Sequence, residues 1–256
     1  MTIQVLVAAM NQNDYSLIEK MNLQSDAIIG NQCNRNSVEI FKKNGYEYKY
    51  YSFAERGVGL NRNTTLMRAT ADLCLFADDD MRYVDGYNEI LEECFGKYSD
   101  ADILIFNLIE KNPSRYIIRK PHRVWYHNYL RYGTARIAIK LRSIKTKAIY
   151  FNQCFGGGTE YCHGEDNLFL TECLNKGLKI YAIPIFIAEL TEERKSSWNN
   201  GYDDNYLMDQ GILYNSISKR WWKLLCLQDC IRHNKLYKTS VIDSYRIMKQ
   251  GVHNNR

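Results

Sequence analysis

Apolar positions along the chain fall in short runs separated by polar segments of helical period, the pattern of strands alternating with helices. Residues 3–9 read as a buried first strand. The polar residues Asn11, Gln12, Asn13 and Asp14 follow, and Asp14 is placed to cap a helix carrying Leu17, Ile18 and Met21. Residues 26–30 give a second apolar run, ending in Gly30-Asn31-Gln32. A second helix is expected over residues 37–43, stopping at Asn44-Gly45, and residues 46–51 alternate as a third strand. Gly57-Val58-Gly59 opens a helix that runs to Ala69 and feeds an apolar strand at residues 73–76. Beyond it the pattern predicts a helix over 85–95, a strand over 102–108, a helix from Gly164 to Lys176-Gly177, and a last strand over 178–187. Pro184 marks that strand as an edge. Elements of these lengths in this order predict an α/β fold: a mostly parallel, doubly wound, Rossmann-like sheet flanked by helices.

Past Thr191 the composition shifts. Residues 198–214 read as a loop and helix, and residues 219–238 hold six Lys or Arg against the single acid Asp229, interleaved with Trp221, Trp222, Leu224, Leu227 and Ile231. Such a helix either lies in a membrane interface or packs on the domain with a basic side outward. A chain of 256 residues fits one large domain or one and a half, and 45% hydrophobic with 25% charged residues excludes a disordered chain. The eight cysteines include no C-x-x-C pair, which argues against zinc. No stretch approaches 18 apolar residues, and the start has neither the basic region nor the cleavage site of a secretion signal. The chain is therefore expected to remain in the cytosol and not to cross a membrane by itself.

Candidate chemistry gathers where the strand at 73–76 runs into Asp78, Asp79 and Asp80. A strand of an open α/β sheet delivers its carboxyl end to the crevice where ligands bind. Three like charges in a row are easiest to understand if a cation shares the site, and hard divalent ions take one or two carboxylates and leave positions for phosphate oxygens. Asn61, Arg62 and Asn63, in the first turn of the preceding helix, suit a nucleotide base or phosphate, or are a solvated helix start. Gly164-Glu165-Asp166 opens a later helix; one acid there is explained by the helix dipole, while an ionised Asp166 facing a crevice suits a general base. From Lys111 to Thr159 there is no Asp or Glu, although Arg115, Arg119, Arg123, Arg131, Arg136 and Lys140 fall inside that stretch. Charge so lopsided either binds an anion or forms a solvated basic face. Trp125, Tyr126, Tyr129 and Tyr132 are interleaved with it, with at least half expected in the core.

In this order the motifs resemble family 2 glycosyltransferases of the GT-A fold, over about residues 3–190. The resemblance rests on Val5-Leu6-Val7 in the first strand, Arg62-Asn63 before the acidic strand, Phe76-Ala77-Asp78-Asp79-Asp80 as a D-x-D motif, and Gly164-Glu165-Asp166 as the later acidic motif. It implies a transferase domain over 1–190, with a nucleotide-sugar half (1–108) and an acceptor half (109–190), and a C-terminal helical extension over 191–256. It also implies Mn²⁺ or Mg²⁺ on Asp80 and Asp78, and a donor nucleotide held by Ala8, Asn31, Arg62, Asn63, Asp78 and Asp79. Gly164 and Glu165 would lie on the acceptor side, and Asp166 would be the base of an inverting transfer. Where the family carries D-D-x-S after the second strand, this chain has Asn31-Gln32-Cys33-Asn34, whose amides can also hydrogen-bond a base; UDP is the commonest carrier. The segment with Ser197-Trp198 and Trp221-Trp222 is similar to that of bacterial capsule, exopolysaccharide and O-antigen transferases. This implies a glycan or lipid-linked acceptor, peripheral contact with an anionic membrane at the cytoplasmic face, and no nucleic-acid partner. A sugar-nucleotide nucleotidyltransferase would need a glycine-rich basic loop near residues 8–14, which is lacking. A non-catalytic anion-binding module would leave both acidic motifs unexplained.

Overall fold

A computed structural model describes residues 1–111, 115–191 and 201–254; Ser197-Trp198 lies outside the described residues. In chain order the elements are β1 (Ile3–Met10), α1 (Leu17–Lys20), β2 (Asp26–Gln32), β3 (Ser37–Lys43), β4 (Tyr46–Phe53), α2 (Val58–Arg68), β5 (Leu73–Asp78), β6 (Met81–Tyr83) and α3 (Tyr87–Lys97). They continue with β7 (Ile103–Ile109), β8 (His122–Arg123), β9 (Ile137–Lys140), α4 (Leu141–Thr146), α5 (Glu165–Asn175), β10 (Ile180–Leu190), α6 (Asp204–Ile217), α7 (Trp222–Tyr237) and α8 (Val241–His253).

The strands form one ten-stranded sheet among the described residues, in the order β3-β4-β2-β1-β5-β9-β7-β10-β6, with β8 beside β10. Its core, β4-β2-β1-β5, is parallel, as β7-β10 is. The buried strand β9 runs antiparallel to both β5 and β7 and joins the two parallel parts. One hydrophobic core on one face holds Val5, Val7, Leu75 and Phe106, and another holds Leu6, Phe76, Ile105 and Phe169. Neighbouring residues of one strand thus serve opposite cores, and the parallel strands read as continuous apolar runs.

Residues 37–43 correct the sequence expectation: they form a strand, β3, paired antiparallel with β4. Val38, Ile40 and Phe41 favour a pleated surface, and Asn44-Gly45, both at positive φ (53° and 87°), supplies the turn of a tight hairpin. On its half-buried face Phe41 meets the rings of Tyr15 and Tyr50 at 4.4 and 6.1 Å. Pro184 also departs from expectation. β10 lies between β7 and β6, and the proline sits where the register with β7 slips between Ala182 and Phe186. A β-bulge accommodates the missing N–H without an edge.

The last three helices enclose a separate hydrophobic cluster that includes Leu207, Tyr214, Trp222, Cys226 and Met248. α6 and α8 touch backbone to backbone: a Cβ on Gly211 would lie 2.0 Å from the Met248 carbonyl oxygen, and one on Gly251 would lie 2.4 Å from that of Met208. No helix of the described residues is long and apolar enough to cross a membrane.

Candidate active site

The two acidic motifs meet on Arg62. Gly30 lets α2 settle on the sheet, since a Cβ there would fall 1.9 Å from Asn61 Oδ1. Asn61 in turn donates to the carbonyls of Ala9 and Gly30 at the ends of β1 and β2. Gly59 lies against the Asn152 carbonyl, 2.4 Å from where its Cβ would be. Held between sheet and loop, α2 aims Arg62 inward. Its Nη2 donates to Asp78 Oδ1 (3.0 Å), and its Nη1 to Glu165 Oε1 (2.8 Å) and Asp166 Oδ1 (3.1 Å). The guanidinium is buried, 5.5 Å from the Phe151 ring centroid, and its Nε has no hydrogen-bond partner among the described residues.

One cation against three carboxylates leaves this cluster with negative charge in excess. Burial and the neighbouring Asp166 push the Glu165 carboxyl up, against the pull of Arg62. Asp166 is about a quarter exposed and also accepts from Thr134 Oγ1 at 2.6 Å, again through Oδ1. Its Oδ2 lies beside Gly133, where a Cβ would stand only 3.2 Å away. Gly156, at φ +102°, is required by the same packing: its Cβ would come within 2.7 Å of the Glu165 carboxyl. The glycine-rich loop is thereby fastened between α2 and α5, with Val58 N donating to Gly157 O.

The three acids after Phe76 have separate surroundings. Asp78 takes Arg62, while Asp79 Oδ2 accepts from Met10 N (3.1 Å) and Gln12 Nε2 (3.2 Å). Burial, with Asp78 and Asp79 nearby, pushes Asp80 up to about 6. A hollow of about 290 Å³ lined by Asn11, Gln12, Asp14, Lys20, Asp79 and Asp80 adjoins them. Among the described residues no three or more His, Cys, Asp or Glu converge closely enough to hold a metal alone. The crowded oxygen donors fit Mg²⁺ or Mn²⁺, which takes one or two carboxylates and completes its shell with water and phosphate oxygens.

Ala8, opposite Gly30 and Asp78 in the sheet, is half-buried near the carboxyl end of β1. Asn31 and Asn63 are both buried and hydrogen-bonded to the backbone. Asn31 is fully buried, its Oδ1 accepting from Gln12 N and its Nδ2 donating to Gln12 O and Ser52 Oγ, so its amide braces the loop after β1. Asn63 exchanges two hydrogen bonds with the backbone of Phe151, whose ring packs on Arg62. Gln12, Gly133 and Thr134 were not singled out. Gln12's place just past the carboxyl end of β1 is a signal that could have found it; Thr134 carries none.

Much of the acid-free stretch is used inside the fold. Arg136 donates to Phe106 O, Tyr116 O and Asn107 Oδ1. Arg115 pairs with Glu110, and Arg123 lies between the Trp125 and Tyr181 rings. Tyr129 and Tyr132 are buried, whereas Trp125 and Tyr126 are exposed.

The helix bearing Asp166 is also held from the C-terminal side. Cys162 N donates to Asp209 Oδ2 (3.0 Å), His163 Nε2 meets Gln210 Oε1 (2.6 Å), and Gly164 packs on Leu213.

No protein-family profile matches the chain, and no curated protein matches it in sequence. Among solved structures it is similar to Staphylococcus aureus TarS. Residues 1–349 of TarS in complex with UDP-GlcNAc superpose with a TM-score of 0.66 at 13% identity, covering 100% of this chain and 93% of that one. The UDP complex gives 0.64 at 14% identity, covering 100% and 92%. The longer TarS chain gives 0.64 at 14%, covering 98% of this chain and 55% of its own length. At such identity the likeness is one of fold, the GT-A arrangement of a mixed sheet with a parallel core.

Proposed function

We propose that the chain is a metal-dependent, inverting glycosyltransferase that moves a sugar from a nucleoside diphosphate, UDP in the first instance, to a hydroxyl of a glycan or lipid-linked acceptor in bacterial surface-polysaccharide synthesis. The observation that carries the reading is the meeting of Asp78, Glu165 and Asp166 on Arg62, from parts of the chain more than 80 residues apart. UDP-GlcNAc and UDP bound to the TarS neighbours support the choice of carrier.

In this reading Asp166 is the base. Arg62 and Thr134 hold Oδ1, which leaves Oδ2, beside Gly133, as the oxygen assigned to take the acceptor's proton. The acceptor oxygen forms its bond to the anomeric carbon as its proton passes to Asp166. The bond from that carbon to the diphosphate oxygen breaks, and the electron pair leaves with the nucleotide. Attack from the far face inverts the anomeric carbon through an oxocarbenium-like transition state. Mn²⁺ or Mg²⁺, held by Asp80 with Asp78, would supply Lewis-acid stabilisation of the departing diphosphate. Arg62 holds Asp78 and Asp166 in register.

α7 bears on the acceptor. Trp222, Cys226, Asp229 and Cys230 face the bundle, while Trp221, Leu224 and Ile231 are 54%, 57% and 62% exposed. Arg220, Lys223, Arg232 and Lys235 flank that stripe, and the only acid of α7 is buried. An apolar stripe rimmed by cations is complementary to an anionic lipid surface. Cosedimentation with phosphatidylglycerol vesicles, absent with phosphatidylcholine and lost in Ile231→Glu, is expected; equal retention of that variant would remove the membrane from the proposal.

A thermal-shift panel of UDP, GDP and dTDP sugars, with and without Mn²⁺, tests the function. At a hundredfold excess over Kd a donor stabilises by about 2.7 kcal/mol. One UDP sugar should respond, more strongly with Mn²⁺, and Asp80→Ala should abolish the Mn²⁺-dependent part. A flat panel overturns the reading, and UDP-sugar formation from UTP and a sugar phosphate would replace it with nucleotidyl transfer.

A further inference from the structure

We infer that Asp209 and Gln210 of α6 are positioning residues for Asp166, so that the C-terminal bundle sets the geometry of the cleft. The inference rests on the transferase reading, which gives Asp166 its reaction. Arg62 and Thr134 fix one oxygen of that carboxylate; α6 fixes the backbone that carries it.

The loop at 162–164 is engaged by α6 at every residue. Cys162 gives its backbone N–H to Asp209 Oδ2. With Gln210 Oε1 as acceptor, His163 carries its proton on Nε2, and Nδ1, 3.0 Å from Cys162 Sγ, is left to accept from the thiol. The groups are in the states this requires: burial holds His163 below the ordinary histidine range, hence neutral, and burial with Asp209 pushes the Cys162 thiol up to about 12. The imidazole also stacks on Tyr206, centroids 4.4 Å apart and planes 18° apart. Gly164, at φ +107°, then opens α5, and a Cβ there would sit 2.6 Å from Leu213 Cδ1. The first turn of α5, with Glu165 and Asp166, therefore starts from a point that α6 determines.

The contacts continue inward. Tyr214 stands near both Gln210 and Asp229, and Asp229 accepts from Tyr237 and pairs with His233 Nδ1 at 2.8 Å. A buried carboxylate of α7 thus terminates a chain of side chains leading from the base-bearing loop. A displacement of about 1 Å in a reacting group can cost on the order of 10²-fold in rate, so a loop held this closely is a place where a distant contact can matter.

The test uses the full chain with Gln210→Leu, His163→Phe, Asp209→Asn and the swap His163→Gln/Gln210→His. For Gln210→Leu and His163→Phe the expected result is a kcat about 10- to 100-fold lower, with donor KM and UDP affinity within about twofold of wild type. Asp209→Asn, which keeps an acceptor, should fall less, and the swap should recover most of the loss. Amides 162–166 should exchange hydrogen faster in Gln210→Leu. Unchanged kcat despite faster exchange, unchanged exchange, or kcat and UDP affinity falling together would each overturn the inference. A wild type that turns over no nucleotide sugar fails the transferase reading instead, and the exchange data then still decide whether α6 holds the loop.

Discussion

Around Arg62 one guanidinium serves three carboxylates; in the bundle one carboxylate, Asp229, serves the Tyr237 hydroxyl and His233. Arg62 and Asp229 are both buried, yet the balance of donors and acceptors around them is opposite. Asp229 is 7% exposed and meets donors that can share its charge, so the bundle network is closed and holds shape. The acids around Arg62 keep surplus negative charge, and the side chains of Asp78 and Asp166 remain 37% and 26% exposed. A cluster left short of positive charge at the mouth of a cleft is suited to receive a cation and a hydroxyl. On the proposed function, the contrast separates a network that builds the fold from one that acts on a ligand.

Substitutions should divide along the same line. The largest effect is expected from Asp166→Asn, which should lower kcat by about 10²- to 10⁴-fold with little change in Tm, as read by steady-state kinetics and differential scanning fluorimetry. Arg62→Met should cost about 3–5 kcal/mol of stability by stranding buried carboxylates, measured by urea denaturation. Gly211→Ala should cost about 1–3 kcal/mol by driving α6 from α8, and Asp229→Asn a similar amount by leaving donors mismatched, both with UDP affinity retained in titration calorimetry. The smallest effect concerns pH. Because the folded value of Glu165 is raised, its contribution to stability is complete below its ordinary value of 4.5 and is lost as pH rises through the elevated one. Glu165→Gln should flatten that part of the Tm-against-pH curve.

The cleft was legible in the sequence to the extent that it depends on strand ends. Apolar runs closed by Asp78 and by Met10 announce themselves, because buried parallel strands leave little choice of residue. Residues 37–43 were less legible, since Ser-Val-Glu-Ile-Phe-Lys-Lys fits a short helix or a strand, and the decisive information lay in Asn44-Gly45, which closes a hairpin as readily as it ends a helix. Pro184 misled because a bulge, invisible to periodicity, tolerates it in an inner strand. The hydrogen bonds of Asn31 and Asn63 to backbone groups were not legible either, because one sequence does not show which backbone an amide meets. Thr134 and Gln210 act through contacts made across 32 and 47 residues of chain, which only the folded chain brings together. α8 falls inside the helical extension expected over 191–256 but without bounds of its own, although Ser240, whose hydroxyl accepts from Asp243 N, is an ordinary N-cap signal.

The most direct test of the cleft as a single catalytic site is turnover of a UDP sugar measured alongside UDP affinity in wild type and Asp166→Asn, with Mn²⁺ present. The account predicts that the variant binds UDP within about twofold of wild type and loses at least about 100-fold in kcat. Retained turnover, or a loss that merely follows weakened UDP binding, would contradict it.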